Sequence, residues 1–187
     1  MMVTTHVATG VALAAPVAYA APELAPAAVL GGAVGGAFPD LDLLVGHHRR
    51  TLHFPDYYWA PAAVGAAAAL LSPSFATVAL ALAFLSAAVH SVVDWFGAGN
   101  ELRPWERTSN EAVYLRSQGR WLAPRYWIRY DGSPEDLLLT VGLSLPGFFL
   151  FGPTVRRFTV AMVALAAAYT AVRKHLPDVG ERFLEDP

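Results

Sequence analysis

Long stretches of this chain carry almost no charge, and nothing else constrains its fold as much. Between proline, glycine and polar breaks, six apolar segments can be read, over residues 3–20, 23–38, 57–71, 74–96, 135–151 and 154–175. Alanine and leucine dominate most of them, which favours helix. A membrane helix needs about 20 apolar residues at a rise of about 1.5 Å each. The fourth and sixth segments reach that length, and the other four are marginal. Only 15% of the residues are charged, 55% are hydrophobic, and the mean hydropathy is +0.40. A soluble domain is about 25% charged. These features predict an all-α, polytopic membrane bundle of about four to six helices, forming a single domain over 1–187.

The breaks predict the topology. Ala21-Pro22, Ser72-Pro73-Ser74 and Gly152-Pro153 are tight connectors, and short connectors make antiparallel hairpins. The six segments therefore pair as three hairpins. Gly31, Gly32, Gly35 and Gly36 recur at a spacing of four on the second segment, a pattern that lets helices approach closely in lipid. No Lys-Ser or Lys-Thr follows these glycines, which argues against a phosphate-binding loop. Residues 97–134 change character. Six arginines (Arg103, Arg107, Arg116, Arg120, Arg125, Arg129) alternate with tryptophan and tyrosine. Such residues sit at the membrane–water boundary, so an interfacial loop covering the helix ends is expected. No Lys or Arg precedes the apolar run of residues 7–17, so it reads as a retained first helix rather than a signal peptide.

The densest chemistry lies between Phe38 and His53, with Asp40, Asp42, His47, His48, Arg49, Arg50 and His53. The hairpin topology says what joins it. His6 lies at the open end of the first segment, and the first hairpin returns to that end at Asp40 and Asp42. The second hairpin brings back His90 and Asp94, and Glu135 opens the third. His90 and Asp94 are four apart and share a helix face. In so apolar a helix an ionisable pair is costly unless partnered, and is functional by default. Asp40 and Asp42 also suit capping of a short helix, and His47 suits an exposed loop. The chain has no cysteine, so imidazole and carboxylate are the available metal ligands, a set that suits Zn²⁺, Mn²⁺ or Fe²⁺. The net charge of −2 gives no basic field for nucleic acid.

These residues resemble the YdjM-like family of membrane-bound metal-dependent hydrolases. The matching features are His6 with Gly10, Pro39-Asp40-Leu41-Asp42, His48-Arg49 with His53 five residues after His48, and His90-Ser91-Val92-Val93-Asp94. They occur in order over roughly the first hundred residues. The family usually has Thr-His-Ser at the second histidine, where this chain has Leu52-His53-Phe54. The family is in turn distantly similar to zinc-dependent phospholipase C, which implies a phosphoester as the substrate class.

The expected function is an integral membrane hydrolase with one or two divalent metals, zinc first, with manganese or iron as alternatives. The expected metal ligands are His6, Asp40, His53, His90 and Asp94. Asp42 and His48 are the next candidates for the site, and Arg49 or Arg50 would clamp a phosphate. The partners are membrane lipid and a small-molecule or lipid-linked phosphoester. The alternative is a non-catalytic transporter or metal-binding structural protein. Eleven of the thirteen basic residues fall on the site side, so the positive-inside rule places that face of a multi-pass cell-membrane protein in the cytoplasm.

Overall fold

The computed structural model describes residues 1–179; Arg182 and the end of the polar tail lie outside them. The helices are α1 (Val3–Leu13), α2 (Ala15–Ala20), α3 (Ala25–Ala37), α4 (Trp59–Leu71), α5 (Phe75–Val93), α6 (Pro134–Phe149) and α7 (Pro153–Val172). α1 and α2 belong to one apolar segment offset at Ala14. Each of the six expected segments is helical, and the fold is all-α. Four stretches are long and apolar enough to cross a membrane: Val3–Ala20, Pro22–Leu43, Phe75–Phe96 and Pro153–Val179.

Local chemistry sets the helix ends. Proline occupies the first turn of α2, α3, α6 and α7, where its missing N–H is not needed. Ser74 caps α5 reciprocally with Thr77: Thr77 N donates to Ser74 Oγ at 3.2 Å and Ser74 N to Thr77 Oγ1 at 3.0 Å. α5 then runs for 19 residues, about 28 Å at about 1.5 Å per residue. His90 and Asp94 therefore arrive at its far end.

The helices pack in the order α4, α5, α3, α1, α6, α7, with α1 also touching α5 and α7. α1 and α3 are central because their small residues permit backbone contact. A Cβ on Gly31 or Gly35 would lie 2.0 Å from the carbonyl oxygen of Ala79 or Ala83 on α5. On the other side of α3, a Cβ on Gly32 or Gly36 would meet the carbonyl oxygens of Gly10 and His6 on α1, at 2.1 and 2.4 Å. The two glycine pairs thus serve two different helices. The core between them is built from small and medium residues, including Val11, Ala14, Ala27, Ala28, Ala81 and Leu82.

The stretch 97–134 is more ordered than a plain interfacial loop. It contains a two-stranded antiparallel hairpin, β1 (Val113–Leu115) and β2 (Arg120–Leu122), with Tyr114 opposite Trp121. Its arginines stack on rings, Arg107 over Tyr126 at 4.5 Å and Arg125 over Trp95 at 4.7 Å. Backbone N–H groups of Arg125, Tyr126 and Trp127 donate to the carbonyls of Trp95, Gly97 and Phe96. Those bonds fasten the loop to the end of α5, beside the site.

Candidate metal centre

α3 stops at Ala37 because Pro39 has no N–H to continue it. The chain turns through a short 3-10 helix, Pro39–Leu43, which buries both Asp40 and Asp42. A loop with left-handed residues at Gly46 (φ 97°) and Arg49 (φ 59°) then carries the chain to His53. His53 is fully buried, as are His6, His90 and Asp94.

Four donor groups converge: Asp40, His53, His90 and Asp94. His53 Nε2 and His90 Nε2 are 3.1 Å apart. Asp40 Oδ1 lies 3.6 Å from His53 Nε2 and 3.4 Å from His90 Nε2. Asp94 Oδ2 lies 3.2 and 3.5 Å from the same two nitrogens. A tetrahedron of donors about 2.0–2.1 Å from a zinc ion has edges of about 3.3–3.4 Å. The five separations straddle that value, so this Asp/His group can hold a metal ion.

The outer face of each imidazole is fixed. His90 Nδ1 donates to the Gly36 carbonyl at 2.7 Å, an acceptor that cannot donate in return. His53 Nδ1 faces Asp42 Oδ2 at 2.9 Å. In the neutral tautomer that these partners favour, each ring carries its proton on Nδ1 and points a lone pair from Nε2 into the cluster. This is how metal-binding histidines are usually oriented. Asp42 also takes the Leu52 N–H at 3.1 Å, and its other oxygen pairs with His48 Nδ1 at 2.8 Å. Tyr58 braces the same loop by donating to the Leu52 carbonyl at 2.7 Å. Burial, with the Asp42 carboxylate adding to it, pushes the Tyr58 phenol up to about 12, so it remains a donor at neutral pH.

Of the residues expected at the site, His6 lies beside the four-donor group rather than within it. Its ring stacks on His90, with centroids 3.5 Å apart, and Nε2 is 3.1 Å from Asp94 Oδ1. The Met1 amino group donates to that same oxygen at 2.8 Å. Asp42 and His48 form a flanking group with His53. Arg49 is buried, and its Nη1 donates to the carbonyls of Ala98 at 2.6 Å and Ala112 at 3.3 Å. Its Nε has no hydrogen-bond partner and sits 3.8 Å from Asp94 Oδ2. Arg50 is not brought to the cluster; it is exposed and stacks on Tyr114 at 4.6 Å. His47 is likewise exposed, near Trp121.

Glu135 is half-buried and pairs with Arg129, whose hydrogen bond holds its carboxyl at about 2. The residue that reaches inward is its neighbour Asp136. It accepts from Met2 N at 2.8 Å, Gly132 N at 3.0 Å and Thr5 Oγ1 at 2.6 Å, and thereby pins the start of α1 to α6. The sequence carried a signal for it: Asp136, Thr140 and Ser144 form a polar stripe at a spacing of four on an otherwise apolar helix. Gly36, whose carbonyl accepts from His90 and so orients it, had no comparable side-chain signal.

A cavity of about 660 Å³ opens beside the cluster, lined by Asp40, His48 and Arg49 and by residues of α1, α7 and the loop after α5. No protein-family model matches the chain, and no curated protein or solved structure matches it either.

Proposed function

We propose that this chain is a membrane-bound metal-dependent hydrolase of the YdjM-like kind its motifs resemble, acting on a phosphoester or lipid-linked substrate. One observation carries the proposal. Two imidazole lone pairs and two carboxylate oxygens converge at 3.1–3.6 Å, with both ring protons committed elsewhere. With both rings neutral, that cluster would hold four acceptors and no donor, and unpaired buried acceptors are costly. A divalent cation, zinc first and manganese or iron next, satisfies all four.

Asp40, His53, His90 and Asp94 would hold the ion. A bound divalent cation lowers the pKa of its water toward about 7 and so supplies a hydroxide nucleophile. The remaining roles belong to the protein. Asp42 and the Gly36 carbonyl orient the two imidazoles. His48, fixed through Nδ1, lines the cavity where a leaving group would sit. Arg49, whose side chain lines the cavity and whose Nε lies 3.8 Å from Asp94 Oδ2, would stabilise a developing negative charge by its own positive charge. The site face is assigned to the cytoplasm, because Arg49, Arg50 and the arginines of 97–134 lie on that side.

The rival function is a structural metal site, which a complete set of four protein ligands favours. Asp40 favours the enzyme: it is the member of the set that lines the cavity, and its Oδ2 has no hydrogen-bond partner. Metal analysis of detergent-purified protein, followed by a screen of phosphoesters with and without chelator, tests the proposal. Bound metal with chelator-sensitive turnover supports it; bound metal without turnover of any phosphoester favours the structural role; absence of bound metal overturns both.

A further inference from the structure

The cavity beside the cluster has two chemically different ends. At one end stand Asp40, His48 and Arg49. Its wall along α7 is formed by Leu165 and Tyr169, continued by Arg173 at the helix's C-terminal cap, at a spacing of four. From Arg173 to Leu165 is eight residues, about 12 Å of helix at about 1.5 Å per residue. The cavity therefore runs from the charged helix ends down into the apolar stretch of a helix long enough to cross a membrane. Leu43, Leu102 and Leu165 line it and are each about 60% exposed, at 61%, 60% and 63%. Leu165 lies within Pro153–Val179, a stretch long and apolar enough to cross a membrane. The apolar part of the cavity wall is thus its most exposed part, at the depth of a membrane-crossing stretch.

Arg49 supplies the complementary feature at the polar end. It is 6% exposed and lines the cavity, its Nη1 is anchored to two carbonyls, and its Nε lies 3.8 Å from Asp94 Oδ2 without a hydrogen bond. A fixed guanidinium at the wall of a cavity attracts a phosphate group strongly. We infer that the cavity is the binding site of a phosphate-bearing lipid that enters sideways from the bilayer, its phosphate at Arg49 and its chain along Leu165 and Leu43. The inference deepens the hydrolase proposal by naming the substrate class, but binding can be read without turnover.

The test uses the full chain in detergent and two non-hydrolysable probes, hexadecylphosphonate and methylphosphonate, with thermal stability as the readout. A ligand that binds the folded state raises Tm in proportion to its occupancy. The alkyl chain holds the headgroup at the micelle surface, so hexadecylphosphonate should act at concentrations about 100-fold below methylphosphonate. Arg49→Gln should weaken the response to both probes by about 10-fold or more, the loss expected of a charge-assisted hydrogen bond. Leu165→Trp and Leu43→Trp, which enlarge two apolar lining residues of the cavity, should weaken only the response to hexadecylphosphonate. Equal potency of the two probes, or a hexadecylphosphonate response untouched by all three variants, overturns the lipid assignment and leaves a soluble phosphate or micelle effect only. Metal content of the same preparations separates the two proposals: metal without the lipid response sinks this one alone, and the lipid response without metal sinks the hydrolase alone.

Discussion

His53 and His90 point their Nε2 atoms at each other across 3.1 Å, while the Nδ1 of each is engaged on the far side, by Asp42 and by the Gly36 carbonyl. Two neutral imidazoles held this way repel, so a shared proton or a metal ion must sit between them and the adjoining carboxylates. Replacing either histidine by alanine removes one of four ligands. His53→Ala and His90→Ala should each reduce bound metal from about one equivalent to near zero, measured by elemental analysis of purified protein. Protons compete for the same lone pairs, so metal should be held more weakly at pH 5 than at pH 7.5. Equal metal retention at the two pH values would count against imidazole ligation.

Asp42 gives a subtler prediction. One carboxylate accepts from His53, His48 and the Leu52 backbone. Asp42→Asn keeps the shape but replaces one acceptor oxygen with a donor, so one of the two imidazoles loses its partner. Loss of such an orienting carboxylate weakens metal affinity by about 10–100-fold. A chelator-competition titration measures this, and an unchanged affinity would show that Asp42 serves only the loop.

Much of this was legible in the chain and some was not, for physical reasons. The helices were readable because apolar runs broken by proline leave little freedom. The gathering of Asp40, His53, His90 and Asp94 followed from the antiparallel hairpins, since each hairpin returns to its starting end. The four glycines of α3 announced close packing, but a spacing pattern does not say that Gly31 and Gly35 meet α5 while Gly32 and Gly36 meet α1. Asp136 was hidden by Glu135, because adjacent residues at a helix start look alike until the facing helix is known. The β1–β2 hairpin was missed because three-residue strands carry no periodic signal.

The glycine contacts predict opposite outcomes for two similar substitutions. A Cβ at position 35 would lie 2.0 Å from the Ala83 carbonyl oxygen, whereas one at Gly142 on α6 has no atom within 4 Å. Gly35→Ala must push α3 and α5 apart and should lower stability by at least the 1–3 kcal/mol typical of overpacking, roughly. It should also release metal, because the adjacent Gly36 carbonyl holds His90. Gly142→Ala should be neutral or slightly stabilising, by up to about 1 kcal/mol from helix propensity. Thermal melts in detergent, with metal content measured alongside, distinguish the two.

Tyr58 reports on the loop that carries His53. Its hydroxyl donates to the Leu52 carbonyl, and its ring packs against Phe54 and Phe84. Tyr58→Phe keeps the packing and removes the hydrogen bond, at a cost of about 1 kcal/mol. The expected result is a small fall in Tm with the metal stoichiometry preserved. Loss of metal in that variant would mean that the hydroxyl holds His53 in register rather than merely bracing the loop.

Arg49 and Arg50 are neighbours of identical chemistry with opposite surroundings. Arg49 is buried in a left-handed backbone conformation (φ 59°), with its guanidinium forked between Ala98 and Ala112 and turned toward Asp94. A left-handed arginine stores strain that its surroundings must hold in place. Arg50 lies on the surface over Tyr114. If the proposed hydrolase stabilises charge through Arg49, then Arg49→Lys should lower kcat by about 10²–10³-fold, the scale seen when one fixed donor to a developing oxyanion is lost. Lysine cannot reproduce the fork, since its single ammonium must choose between the carbonyls and the site. Arg50→Lys should change kcat by less than about 2-fold, as expected of a surface substitution. Equal losses in the two variants would remove Arg49 from the chemistry and leave it as an anchor for the loop at Ala98 and Ala112.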